Sequence, residues 1–159
     1  MSSDKQPMTV NGKTQLEDEL SRLIKEERPS IIKAIEVARS HGDLSENADY
    51  DAAKERQGFV EARISEIQSK IANSEVINTS EITSDKIVFG AFVKLLDSDT
   101  DEEVSYQIVG EDEADVKSGK ISIFSPLSRS LIGKKKGDIV EFNTPKGEKE
   151  YEVLAFNFK

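Results

Sequence analysis

A chain of 159 residues with 36% hydrophobic and 33% charged side chains suits long exposed helices better than one compact ball, and it has room for one domain or two small ones. Its net charge of −9 excludes a protein that coats nucleic acid or anionic lipid along its whole surface, so any nucleic-acid contact must come from a local patch or through a partner. With no cysteine it has neither a disulfide framework nor a thiolate metal site, which fits a reducing, cytoplasmic compartment.

Residues 1–8 are polar and predict a frayed end without a signal peptide. No stretch approaches the roughly 18 apolar residues of a membrane span. From about Thr14 the apolar spacing becomes helical. Leu16, Leu20, Leu23 and Ile24 share a face, which resumes after Pro29 with Ile31, Ile35 and Ala38. Pro29 lacks an N–H and crowds the preceding turn, which predicts a kink or brief break near Arg28–Pro29 but not the end of the pattern. A second helix follows, from about Glu46 to Asn73, with Tyr50, Ala53, Gln57, Val60, Ile64, Ile67 and Ile71 in a heptad seam. At 1.5 Å per residue it runs roughly 42 Å. The connection around Gly42 is short, so the two stripes predict an antiparallel coiled-coil hairpin within one chain. A homodimeric coiled coil is the alternative way to cover them.

The apex of that hairpin, residues 41–50, reads His-Gly-Asp-Leu-Ser-Glu-Asn-Ala-Asp-Tyr. Gly42 suits the left-handed residue just past a helix end. Asp43 and Glu46 have the spacing of a capping box for the second helix, which is a sufficient structural reason for both carboxylates. Leu44 is not explained that way. An apolar residue at an acidic apex, far from any core, reads as a point meant for insertion elsewhere. Arg39, Lys54 and Arg56 lie within three turns of the apex, with His41 beside it. They read either as ordinary helix-surface charge or as a cationic collar able to touch a phosphate backbone.

Around residues 74–85 helix periodicity is lost and Ser, Thr and Asn collect, which reads as a linker and divides the chain into 1–78 and 79–159. The second part predicts strands at 86–96, with a bulge at Gly90, and at 104–109, 120–124, 138–143 and 148–156. Ser125 and Pro126 open a short helix that Gly133 ends, and Thr144-Pro-Lys-Gly147 is a turn. These elements make an α+β domain, an antiparallel sheet with one helix. Asp97, Asp99 and Asp101 alternate as in a calcium loop, but the required glycine and flanking helices are missing. Lys134-Lys135-Lys136 is too short a basic run to argue a nucleic-acid site.

The run from His41 to Gly58 closely resembles the tip of the Gre family of bacterial transcript-cleavage factors, in which Asp-Leu-x-Glu-Asn-Ala-x-Tyr is very specific. A second match runs from Ser125 to Gly133, then Gly137-Asp138 and Tyr151-Glu152-Val153, with Ser128 and Ser130 where alanine or another small residue is expected. The resemblance spans about Met8 to Phe156 and is nearest to the A type of that family. It implies an antiparallel coiled-coil finger and a C-terminal domain with an FKBP-like fold. It implies a monomeric transcription elongation factor, not itself an enzyme, that binds bacterial RNA polymerase through the secondary channel and stimulates cleavage of backtracked RNA. Asp43 and Glu46 match the tip carboxylates that help hold a Mg2+ ion shared with the polymerase, with no cofactor bound by the factor alone. Arg39 and Lys54 match the basic patch that meets the 3′ end of the RNA. Ser125 and Pro126 are candidates for the surface that grips the polymerase. Three rivals remain: a channel-binding paralogue that inhibits the polymerase, a peptidyl-prolyl isomerase, and a coiled-coil adaptor. The intact Asp43–Glu46 motif speaks against the first. The isomerase needs an aromatic-lined pocket, which the Phe residues, placed in strand patterns, do not predict.

Overall fold

The structure is a computed structural model that describes residues 5–42 and 47–159. The chain divides into two compact units, one from Lys13 to Ser74 and the other made of the residues up to Gly12 with those from Glu75 onward.

The first unit is a helical hairpin. Its first arm is α1, Val10–Arg22, then a π-helical turn at Leu23–Glu27, then α2, Arg28–Ser40; its second arm is α3, Ala48–Ala72. The π turn stands where the sequence predicts a kink. The backbone stays right-handed helical at Arg22, Glu27 and Arg28, and the Arg28 N–H donates to the Leu23 carbonyl five residues back. Pro29 supplies the physical reason. Its ring crowds the carbonyl four residues earlier, and a turn widened by one residue relieves that crowding without ending the helix.

The seam follows the expected stripes. Leu16, Leu23, Ile31 and Ala38 of the first arm are buried, as are Ala53, Ile64 and Ile67 of α3. Tyr50, Gln57, Val60 and Ile71 are half-buried along the same line. Each fully buried aliphatic side chain contributes about 1.5–3 kcal/mol, which offsets the low helical stability of the charged outer faces. Ion pairs cross the seam. Arg63 donates to both carboxylate oxygens of Glu19 at 2.7 and 2.8 Å, Arg56 to Glu27 at 3.0 Å, and Arg28 to both oxygens of Glu61 at 2.8 Å. Glu19 pairs late in α3 and Glu27 earlier, as an antiparallel hairpin requires. The Arg63 hydrogen bond holds the Glu19 carboxyl below its ordinary range, and the Arg28 bond does the same to Glu61.

The second unit contains a two-stranded sheet, β1 (Gln6–Thr9) with β2 (Ser74–Ile77). Two expectations are corrected here. The N-terminal segment is not frayed at residues 6–9, and the linker begins with a strand. Met8 is buried, and Thr9 is fastened through its N–H and hydroxyl to the carboxylate of Glu113. The Thr9 hydroxyl oxygen also accepts from the Gly12 N–H at the start of α1. Residues 5–12 therefore group with the C-terminal part, whereas the sequence reading assigns them to the finger.

The main sheet has the order β5-β4-β3-β7-β6, with β3 Phe92–Asp97, β4 Glu103–Val109, β5 Lys120–Ser122, β6 Ile139–Thr144 and β7 Gly147–Asn157. Its pairs are antiparallel except β4 with β5, which is parallel. The chain reaches β5 through two short 3-10 turns, at Glu111–Glu113 and Val116–Ser118, so that it re-enters the sheet in the same direction. Helix α4, Pro126–Leu131, sends Leu127 and Leu131 into a core with Val93, Leu95, Ile108 and Val153. The strand predicted from residue 86 starts only at Phe92. Gly90 forms no bulge; it lies in the turn before β3 at φ +91°, where an added Cβ would sit 2.4 Å from the Thr79 methyl. The bulge falls between Lys94 and Leu95, against β7.

The alternating aspartates after β3 are hairpin chemistry. Asp97 is buried; its Oδ1 accepts from the N–H groups of Asp99 and Thr100, and its Oδ2 from Lys149 Nζ at 2.8 Å. The Lys149 bond, then the Asp99 N–H, hold the Asp97 carboxyl below its ordinary range.

Candidate functional site

The first arm ends as the sequence predicts. The Gly42 N–H donates to the Arg39 carbonyl at 3.2 Å, and Gly42 takes φ +99°, the left-handed region that glycine enters without a Cβ penalty. The proposed metal-binding carboxylates Asp43 and Glu46, with Leu44 and Ser45, lie outside the described residues.

The capping expectation is corrected at Asn47. Helix α3 begins at Ala48 with Asn47 as its cap, not at Asp43. Asn47 Oδ1 accepts from the Tyr50 N–H at 3.0 Å, and Asn47 Nδ2 donates to the Ala38 carbonyl at 2.7 Å. One side chain thus starts the second arm and ties it to the last turns of the first. Sequence spacing hides this role because Asp43-x-x-Glu46 fits a capping box so well. The missed signal is the asparagine itself, among the strongest N-cap residues, three positions before Tyr50.

Of the residues read as a cationic collar, Arg39 and Lys54 are exposed, whereas Arg56 is paired. Arg39 is exposed and has no ion pair among the described residues. Lys54 is exposed, donates to Gln57 Oε1 at 2.9 Å within its own helix, and has no ion pair among the described residues. Arg56 differs. Its pairing with Glu27 turns it back along the hairpin. Between the arms a groove of about 410 Å³ is lined by Val37, Ala38, His41, Asp49, Ala53 and Arg56. Among the described residues no cluster of three or more His, Asp or Glu side chains could hold a metal, and no helix is long and apolar enough to cross a membrane.

In the second unit, Ser125 and Pro126 start α4 as read from the sequence. Ser125 Oγ accepts from the Ser128 N–H at 3.2 Å, and Pro126 occupies the first helical turn, where no donor is needed. Both line a recess of about 300 Å³ whose walls include Tyr106, Leu127, Phe142 and Tyr151. Phe142 stacks on Tyr151 with ring centroids 5.6 Å apart, and burial pushes the Tyr151 phenol up. The aromatics that line this recess, Tyr106, Phe142 and Tyr151, all stand on strands, with Phe142 placed in the strand pattern as read from the sequence.

Comparison with known proteins matches the chain twice over. Residues 6–76 fit the GreA/GreB N-terminal model, described as "Transcription elongation factor, N-terminal", and residues 82–158 fit its C-terminal counterpart. The chain belongs to the GreA/GreB family of transcription elongation factors. It is 58% identical over 151 residues to transcription elongation factor GreA of Caulobacter vibrioides, covering 95% of this chain and 96% of that one. It is 59% identical over 152 residues to GreA of Sinorhizobium medicae, with 96% of each covered. Among solved structures, GreA factor homolog 1 of Thermus thermophilus is 26% identical over 96% of this chain and 99% of that one, with a TM-score of 0.41. Membership of the family, not the shape of the recess, makes transcription elongation the function and sets the isomerase reading aside.

Proposed function

We propose that the protein binds bacterial RNA polymerase, passes its hairpin apex through the secondary channel and stimulates cleavage of backtracked RNA, restarting arrested complexes. The observation that carries this reading is the Asp-Leu-x-Glu-Asn-Ala-x-Tyr motif of residues 43–50, which follows Gly42 at the end of one arm in the sequence and includes Asn47, the cap of the other, in a chain that matches the family along both halves. Asp43 and Glu46 are the proposed ligands of a Mg2+ ion shared with the polymerase. Carboxylate oxygens are the donors magnesium prefers, and two of them hold it only with ligands from a partner. When bound, that ion would support water attack or stabilise the leaving oxygen in phosphodiester hydrolysis. The protein therefore lends ligands, and the polymerase remains the catalyst. Arg39 and Lys54, exposed and without ion pairs among the described residues, are suited to the phosphates at the RNA 3′ end. Ser125 and Pro126, at the rim of the aromatic recess, are the proposed polymerase-gripping surface.

The test adds the purified protein to a stalled, backtracked complex. Short 3′ fragments are expected. Asp43→Ala with Glu46→Ala should abolish the stimulation while binding to the polymerase persists. A double variant that restarts complexes at the normal rate refutes the ligand role. Slowed elongation without fragments by the unaltered protein supports the inhibitory alternative instead.

A further inference from the structure

We propose that the hairpin contains a built-in hinge at mid-length, where residues 23–29 of the first arm face residues 56–61 of the second, so that its tip half can swing relative to its base half. Four observations meet at this level. In the first arm the regular hydrogen-bond ladder is interrupted by the π turn at Leu23–Glu27, and Pro29 then cannot donate to the turn before it. In the second arm the facing stretch contains Gly58, in the interior of α3. An added Cβ there meets nothing within 4 Å, and the backbone is not left-handed, so neither packing nor turn geometry calls for glycine. What glycine does supply in a helix interior is backbone freedom.

The seam changes character at the same place. Leu16, Leu23, Ile64 and Ile67 are buried on the base side, and Ile31, Ala38 and Ala53 on the tip side. Between them the half-buried positions include the polar Glu27, Arg28 and Gln57 beside the apolar Ile24 and Val60, so the seam is more polar here than on either side. An apolar seam resists bending because its close-packed side chains must part. A more polar level with access to water loses less. It is bridged by the ion pairs Glu27–Arg56 and Arg28–Glu61, which straddle Gly58 and are each at least one-third exposed. Long, solvated side chains of this kind re-form their contacts over a range of arm angles and cost little to rearrange. One irregularity would be a local accident. Both arms and the seam weakened at one level describe a joint with two packed segments on either side.

Residual dipolar couplings of the full-length chain test this without the polymerase, so the outcome does not depend on the proposed cleavage role. The base half, residues 13–22 with 63–72, and the tip half, residues 30–40 with 48–55, should require separate alignment tensors, with lower order in the tip half. Gly58→Ala should bring the two halves to one tensor and raise the melting temperature by about 2–4 °C. Raising salt to about 1 M, which screens the exposed pairs, should lower the order of the tip half further. A single tensor that fits both halves of the unaltered chain overturns the proposal. So does Gly58→Ala if it leaves the difference between halves intact.

Discussion

Asn47 shows how much one side chain decides at the apex. Its carbonyl oxygen satisfies the Tyr50 N–H and its amide reaches the Ala38 carbonyl, so it serves as a helix cap and a clasp between arms. The two roles separate by substitution. Asn47→Asp keeps an acceptor for the helix start but loses the donor, and should cost about 1 kcal/mol in urea unfolding. Asn47→Ala loses both and should cost about 2 kcal/mol. Equal losses in the two variants would mean that the cap contributes nothing, and an Asn47→Asp variant as stable as the unaltered chain would mean that the clasp contributes nothing. Asp97 is a second residue whose chemistry differs from its pattern. The alternating aspartates invite a cation reading, yet Asp97 is occupied by two backbone N–H groups and Lys149. Calcium added in titration should leave the Asp97–Glu103 hairpin resonances unmoved.

At the scale of elements, the hairpin depends on its aliphatic seam more than on its charges. Ile67 is fully buried, and Ile67→Ala should destabilise the helical unit by about 2–5 kcal/mol, read as a fall in its thermal midpoint by far-UV circular dichroism. The ion pairs across the arms are exposed enough that each contributes little at physiological salt. The stripe positions of both arms are legible in the sequence because helical periodicity survives whatever happens to one hydrogen bond. The π turn is not. The sequence shows that Pro29 disturbs the ladder, but whether the helix breaks, kinks or widens depends on the partner helix that holds the arm in line. The aromatic recess is hidden for a similar reason. Alternation places Phe142 and Tyr151 in strands, but only the register of β6 against β7 stacks them.

At the scale of the molecule, acid should loosen both units. The carboxyls of Glu19, Glu61 and Glu66 are held below their ordinary range by arginine hydrogen bonds, and that of Asp97 by Lys149 and backbone N–H groups. A carboxyl whose folded pKa is lowered contributes stability that is present above its unfolded value, near 4, and is lost as pH falls through the folded value. The thermal midpoint should therefore be steady from pH 7 to about 5 and decline below about pH 4. A midpoint unchanged down to about pH 2.5 would show that these pairs do not differ between the folded and unfolded chain. The N-terminal fastening offers a separate test. Glu113→Ala leaves the N–H groups of Thr9 and Gly110 without their carboxylate, and should cost about 1–3 kcal/mol with earlier hydrogen exchange at residues 6–9.

The amino-acid order alone specifies the family, the two stripes of the hairpin, the Gly42 turn, the Ser125–Pro126 helix start and most strand positions. These rest on local periods, on glycine or proline geometry and on a specific motif, all of which act within a few residues. Tertiary contacts are needed to establish that β1 joins β2, that β5 lies parallel to β4, that Thr9 reaches Glu113, and that Asn47 caps α3 while clasping the first arm. Each of these depends on a backbone or side-chain polar group finding its partner on another element, and sequence spacing carries no record of which distant group arrives. Asp43 and Glu46 remain defined by their motif, and the structure adds the helix ends that flank them in the chain, at Gly42 and Asn47.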